Sequence, residues 1–177
     1  MCLLLVAALP FSADDTDTTE STITLQSGGL VFSSVPCMDF GTQTISSSNM
    51  SFSPADTTPY TVVVSDLRGS PTGWNVTAQL GQFNGAANSL PAADISISGG
   101  TVTGDDVSGV VAVSNITLSA GGTAQRVFYA PSGAGANQST LTWPLANVKL
   151  NIPAGPGVTT GTHTANIAWT LTDGPGT

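Results

Sequence analysis

The chain has 177 residues, only 8% of them charged, and eleven acidic residues against three basic ones give a net charge of -8. So acidic a chain cannot replace the counterions of a phosphate backbone or attach to an anionic lipid surface, which excludes nucleic acid and such membranes as partners. A hydrophobic content of 40% excludes a disordered chain, and the length suits one ordinary domain with a substantial core.

The first thirteen residues are typical of the end of a secretory signal. An apolar run is followed by a proline and then, from Asp14, by acidic residues. We therefore expect residues 1–13 to be a signal segment that lacks its basic start, and residues 14–22 to be an acidic, Thr-rich lead-in. The run is too short to cross a bilayer, so the mature chain is expected to have no membrane span. The alternative is that the run stays in the product as a strand.

From residue 23 onward, short apolar runs alternate with breaks rich in Gly, Pro, Asn and Asp, and no window shows helical periodicity. About ten short strands at this spacing predict an all-β fold. We expect a single antiparallel β-sandwich, immunoglobulin-like or jelly-roll-like, over residues 23–177. In chain order the predicted strands are 23–26, 30–32, 60–65, 74–80, 95–98, 110–113, 116–119, 126–129, 141–145, 148–152 and 164–172.

Two of these strands alternate apolar and polar residues along their whole length. Trp74 and Val76 lie on the apolar face of one, and Trp169 and Leu171 lie on the apolar face of the other. Because each tryptophan shares its face with other apolar side chains, we expect both pairs to lie in the core. The alternative is that the tryptophan rings stack on sugars.

The same two segments resemble the WxL-domain family of Gram-positive surface proteins. Residues 165–175 resemble the distal family motif, with Trp169 and Leu171 as its Trp-x-Leu pair. Residues 64–78 resemble the proximal motif, in which Val76 stands in place of leucine. Two shorter segments, residues 38–41 and 150–153, are also similar to family sequences.

This resemblance implies a secreted protein that associates non-covalently with the cell wall. The implied partners are cell-wall polysaccharide, in particular peptidoglycan, or other surface proteins, and the implied role is binding without catalysis. The residues point the same way, because the only histidine, His163, has no nearby Cys, Asp or Glu in sequence, and no nucleophile elbow or phosphate loop is present. We therefore expect no enzyme, cofactor or metal site.

Three further residues are candidates for contact with a ligand or an interface. Asp66 and Arg68 lie two residues apart in a chain with few cations, which favours an internal bidentate pair, and a contact between Arg68 and a ligand carboxylate is the alternative. Trp143, next to a proline, is a candidate for either core or ligand. Cys37 is expected to be a small buried hydrophobe.

A second hypothesis makes the protein a self-assembling filament or surface-layer subunit. Low charge and an apolar N-terminal segment suit the donation of a β-strand to a neighbouring copy. The candidate donors are Leu3, Leu4, Leu5, Ile23 and Leu25. A homopolymer of this kind is compatible with wall association, because a wall-bound fibre satisfies both hypotheses.

Overall fold

The computed structural model describes residues 20–86, 88–90 and 92–176. This part of the chain is all-β with antiparallel pairing throughout, as predicted, and its only helical element is a 3-10 turn at Leu145–Asn147. The strands are β1 (Gly29–Ser34), β2 (Met50–Phe52), β3 (Tyr60–Leu67), β4 (Trp74–Leu80), β5 (Asn84–Gly85), β6 (Asp94–Ser98), β7 (Thr101–Gly104), β8 (Val111–Ala112), β9 (Asn115–Ser119), β10 (Gln125–Ala130), β11 (Asn137–Trp143), β12 (Val148–Ile152), β13 (His163–Thr164) and β14 (Ile167–Asp173).

Three four-stranded sheets carry the fold, each named here after a central strand. The β3 sheet has the order β1-β3-β11-β7, the β4 sheet the order β14-β4-β10-β8, and the β12 sheet the order β2-β12-β6-β9. A two-stranded pair of β5 and β13 completes the described pairing. The inward faces of the three sheets share one hydrophobic core, so the architecture is a β-sandwich.

The core follows from alternation within each strand. The pleat of a strand sends successive side chains to opposite faces, and in β4 every second residue is apolar. These residues are almost inaccessible to solvent, as Trp74, Val76, Ala78 and Leu80 show. Strand β14 repeats the pattern at the edge of the same sheet, but its apolar side chains stay partly exposed.

Two tryptophan contacts hold the core together. The ring of Trp74 meets that of Phe128 edge to face, with centroids 4.8 Å apart, and its Nε1 donates a hydrogen bond of 3.1 Å to the carbonyl of Gly135. Trp143 of β11 packs against Trp169 of β14 with centroids 6.4 Å apart. The second pair joins the β3 sheet to the β4 sheet through large apolar surfaces.

Several strand assignments made from the sequence are wrong. The predicted first strand, residues 23–26, pairs with no strand of the described chain, since alternation supplies no neighbour to bond with. Strands β2, β5 and β7 were missed because two to four residues show no period. The predicted strand 141–145 ends at Trp143, where Pro144 has no N–H for the ladder. The predicted strand 164–172 is divided into β13 and β14.

The N-terminal predictions fall beyond the part of the chain that the structure describes. The signal segment 1–13 lies outside the described residues, together with Leu3, Leu4 and Leu5, and so does the lead-in up to residue 19. The domain limits therefore stay predictions. Among the residues that are described, no helix is long and apolar enough to cross a membrane.

Replacement of Gly135 tests the packing around Trp74. Gly135 has φ +77°, and an added Cβ would lie 2.6 Å from Nε1 of Trp74. We expect Gly135→Ala to lower the free energy of unfolding by about 3 kcal/mol or more, because left-handed strain and a steric clash add together. Urea titration followed by tryptophan fluorescence measures the loss.

Gly133→Ala is the matched control for backbone strain alone. Gly133 has φ +86°, but a Cβ added there would have no atom within 4 Å. We expect a loss of about 1–2 kcal/mol from the backbone conformation. Equal losses in the two variants would show that the contact with Trp74 contributes nothing.

Candidate functional site

An ion-pair network centred on Arg68 joins the ends of two sheets. Nε and Nη2 of Arg68 donate to the two carboxylate oxygens of Asp66 at 2.8 and 2.6 Å, which is the bidentate pair expected from the sequence. Nη1 donates to Asp173, and Nη2 also reaches the carbonyl of Gly73 at 3.1 Å. Thr72 adds a hydrogen bond of 2.8 Å to Asp173. We call these five residues the Arg68 latch.

The latch explains how a carboxylate can be buried at the end of β3. The Asp66 side chain is 2% exposed and the Arg68 side chain 16% exposed, whereas that of Asp173 is 68% exposed. Hydrogen bonds from Arg68 lower the pKa of Asp66, against the opposing effect of burial. The Thr72 hydroxyl and the Arg68 guanidinium lower the pKa of Asp173. Because the guanidinium of Arg68 is already bonded to these partners, Arg68 has a structural role and connects the β3 sheet to the β4 sheet.

A second polar anchor lies in the family-like segment 38–41. A carboxylate oxygen of Asp39 accepts the amide of Gly41 at 2.8 Å, and the carbonyl of Asp39 accepts the amide of Ala55 at 2.8 Å. The carboxylate of Asp56 accepts the amide of Asp39 and the hydroxyl of Tyr60. Burial and the hydrogen bond to Asp56 raise the pKa of Tyr60. The segment is therefore fastened to the start of β3, and it too has a structural role.

The structure decides one alternative that the sequence left open and corrects one prediction about a single residue. Trp143 is fully buried, at 0% exposure, so its ring does not face a ligand at the surface. The sequence left this open because a tryptophan can serve equally well in a core or at a ligand surface. Cys37 is exposed and is not the buried hydrophobe that was expected, since it lies in a loop outside the core.

The outward side of the β12 sheet carries an array of neutral polar groups. Its strands alternate so that every outward residue is a serine, threonine or asparagine, apart from one aspartate and one lysine whose charges cancel. We call this surface the polar face. Its members are Ser51, Asp94, Ser96, Ser98, Asn115, Thr117, Ser119, Lys149 and Asn151.

Cross-strand pairing arranges the polar face in rows. One row runs across all four strands through Ser51, Asn151, Asp94 and Ser119, and the next runs through Lys149, Ser96 and Thr117. Neighbouring groups in such rows lie about 4.8 Å apart across strands, and successive rows about 7 Å apart along them. The face therefore presents regularly spaced donors and acceptors.

Asn151 connects the strands of the polar face. Its Nδ2 donates to Asp94 at 2.8 Å and to Ser96 at 3.0 Å, and its Oδ1 accepts the hydroxyl of Ser51 at 2.8 Å. Nζ of Lys149 donates to Ser53 at 2.7 Å. These bonds fix the side chains of the central strands, whereas Asn115 and Thr117 on the edge strand β9 are exposed to solvent.

Two shallow depressions lie on the polar face. One of about 260 Å³ lies beside the 3-10 turn and is lined by Ser96, Ser98, Asn115, Thr117, Asn147 and Lys149, among others. The other, of about 330 Å³, is lined in part by Asn49, Ser51, Asp94, Asn151 and Pro153. Neither is an enclosed cavity for a small molecule, so the polar face is an open surface suited to an extended ligand.

Stacking on aromatic rings is not available at this surface. The aromatic side chains in the described ranges are buried or only partly exposed, and Trp169, at the edge of the β4 sheet, is one of the partly exposed ones. The same ranges contain no group of three His, Cys, Asp or Glu side chains that could hold a metal ion. Hydrogen bonds to hydroxyl and amide groups are therefore what the polar face can offer a ligand.

The polar face is a functional candidate that was not predicted from the sequence, although its signal is present there. Residues 94–98, 115–119 and 148–152 each alternate strictly between apolar and polar. Apart from Asp94 and Lys149, their outward residues are ordinary serines, threonines and asparagines, which carry no motif. Only the pairing of β6, β9 and β12 shows that they form one surface.

The fold and this surface define an all-β sandwich domain with an open polar face on one sheet. The chain matches the family described as WxL domain surface cell wall-binding over residues 9–175, nearly its whole length, and it belongs to that family. Searches of the curated proteins and of the solved structures gave no match. Membership confirms the resemblance seen in the sequence and supports association with the cell wall at the cell surface.

Neutralising Asp66 tests the latch through the dependence of stability on pH. The folded-state pKa of Asp66 lies below its unfolded value of about 3.9, so its carboxylate stabilises the fold above that value. This stability is lost as the pH falls through the folded-state pKa. We expect Asp66→Asn to cost about 2 kcal/mol at neutral pH and to reduce the acid dependence of the unfolding free energy. Urea titrations from about pH 7 down to about pH 2 measure both effects.

Asp105→Asn makes the same charge change at an exposed turn residue. It should leave the neutral-pH stability close to that of the parent chain, because its side chain is exposed. An Asp66→Asn variant with an unchanged acid dependence would mean that the latch does not hold the carboxylate of Asp66 in its charged form.

Proposed function

We propose that this domain is a secreted, non-catalytic module that binds the glycan strands of peptidoglycan through the polar face. The observation that carries the proposal is the set of hydroxyl and amide rows across the β12 sheet, where one aspartate and one lysine balance each other in charge, in a chain of a cell wall-binding family. Glycan strands present hydroxyl and acetamido groups at regular intervals. Serine, threonine and asparagine match them because each both donates and accepts hydrogen bonds.

The charge of the chain makes a neutral binding face important. With a net charge of -8, the domain is repelled by anionic wall polymers and gains nothing from long-range attraction. On the polar face, however, the charges of Asp94 and Lys149 cancel. We therefore expect binding that does not weaken when salt is added, and that increases where repulsion is screened.

An open face also suits a polymer. A glycan strand can lie across the rows with both ends free, which an enclosed pocket does not allow. Each hydrogen bond contributes only about 0.5–1.5 kcal/mol net, so affinity must come from several contacts along one strand. This predicts weak binding of single sugars and much stronger binding of intact sacculi.

Removal of the exposed groups on β9 tests this proposal. We expect the double variant Asn115→Ala with Thr117→Ala to bind purified sacculi about tenfold more weakly or worse, because two groups that can each make a net favourable hydrogen bond are lost. Both side chains are exposed, so the fold should be unaffected. Co-sedimentation with sacculi over a range of protein concentrations gives the affinity, and the supernatant is assayed for released wall fragments to test for catalysis.

The matched control is Thr101→Ala with Thr103→Ala on β7. These two threonines are also exposed and alternate in the same way, but they lie on the β3 sheet. The control should bind sacculi as the parent chain does. If it weakens binding while the β9 variant does not, the binding surface lies on the β3 sheet and the proposal for the polar face fails.

A further inference from the structure

Residues 21–28, just before β1, form a segment whose apolar side chains are exposed to solvent. Ile23 and Leu25 alternate with Thr24 and Gln26, yet their side chains are 82% and 83% exposed. Residues 21–26 make no hydrogen bond to any other described residue. The segment thus has the alternation of a half-buried strand, but within the described chain it has neither a paired neighbour nor a core to cover.

On one side of the sandwich, the inward apolar side chains of two edge strands have no further strand of the described chain to cover them. Strands β1 and β14 are edge strands of different sheets and lie next to each other. Their inward side chains remain only partly buried, and we call this surface the open side: Leu30, Phe32, Ile167, Trp169 and Leu171. At the edge strand β9, by contrast, the inward Ile116 and Leu118 are 4% and 1% exposed, which leaves no apolar surface to cover.

We propose that residues 21–26 of one copy add as a strand to the free edge of β14 in a second copy, with Ile23 and Leu25 covering its open side. Strand β14 is the longest of the edge strands, and it offers a row of backbone groups that pair with nothing in the described chain. Addition would satisfy these groups and bury apolar surface on both partners. The contact is head to tail, so repetition extends it into a filament wherever the rotation between copies does not close a ring.

The direction of the segment favours a second copy over its own domain. The amide of Gly28 donates to the carbonyl of Leu67 at 2.8 Å, so the chain enters β1 already aligned with β3. This is the end of the sandwich where the Arg68 latch meets Asp173, the last residue of β14. The residues before Gly28 leave the domain there and would have to reverse direction to lie along their own β14.

Charge also permits contact between two copies. The net charge of -8 makes copies repel one another, but residues 21–28, strand β1 and residues 167–172 contain no charged side chain. The donor and the open side therefore meet without a like-charge pair. We expect assembly to increase with salt, which screens the repulsion between the remaining surfaces.

Charge placed on the buried side of the donor tests this assembly. We expect Ile23→Asp with Leu25→Asp to weaken self-association by roughly tenfold or more for each apolar side chain lost. Thr24→Asp with Gln26→Asp adds the same charge to the outward side and should retain association within a few-fold. Sedimentation velocity over a range of concentrations, with negative-stain microscopy of the highest, measures assembly of the full chain. A parent chain that stays monomeric throughout, or equal losses in the two variants, would overturn the proposal.

Cross-linking identifies the acceptor strand. Thr24→Cys and Thr170→Cys are made in separate chains that carry Cys2→Ser and Cys37→Ser, then mixed and treated with a short bismaleimide. We expect the mixture to give a heterodimer, because the two outward residues lie side by side in the proposed contact. Cross-linking only within a chain that carries both cysteines would show that the segment folds onto its own domain, against the proposal. The variant with Asn115→Ala and Thr117→Ala should assemble normally, which separates this inference from glycan binding.

Discussion

The burial of one carboxylate at the end of β3 governs much of this structure. Asp66 can stay ionised there only because Arg68 satisfies both of its oxygens, and a charge left in that position without a partner would cost several kcal/mol. Arg68 in turn reaches Asp173 at the end of β14, so the end of one sheet is fastened to the end of another. The two segments that resemble family motifs meet at this point. The residues of the two family-like motifs therefore connect the β3 sheet to the β4 sheet.

The tryptophans of the two motifs contribute to the same connection from the inside. Trp74 is enclosed by Phe128 and by the carbonyl of Gly135, and Trp169 packs on the buried Trp143. These contacts use the area of the rings, and in Trp74 also the N–H, for packing, which leaves little ring surface for a ligand. The motif thus marks the fold of the family, and recognition of the wall is to be sought on a surface that the motif does not name.

Scarcity of charge then limits how the outer surfaces can interact. A chain with three basic residues cannot bind an anionic wall by attraction, and Arg68 is already engaged in the latch. The outer surfaces proposed for binding and assembly are the rows of the β12 sheet, which have no net charge, and the uncharged edges at β1 and β14. The two surfaces lie on different sheets, so wall binding and assembly of copies can take place at the same time. A fibre built through the open side would repeat the polar face along its length and increase the avidity of weak contacts.

Alternation within segments was enough to predict the all-β class, the burial of Trp74 and Val76 and the pairing of Asp66 with Arg68, because each depends on residues close together in the chain. The partner of Arg68 across the molecule, Asp173, could not be predicted, since 105 residues separate them. The same limit applied to residues 23–26, whose pattern is that of a strand although no neighbour accepts it within the described chain. The hydrogen bonds of Asn151 to Ser51 and Asp94 could not be predicted either, because these residues lie on other strands that are distant in the chain. Local sequence thus sets which face of each strand is apolar, whereas the choice of neighbouring strands emerges only in the folded molecule, because pairing depends on long-range packing and hydrogen bonding between segments that are distant in the chain.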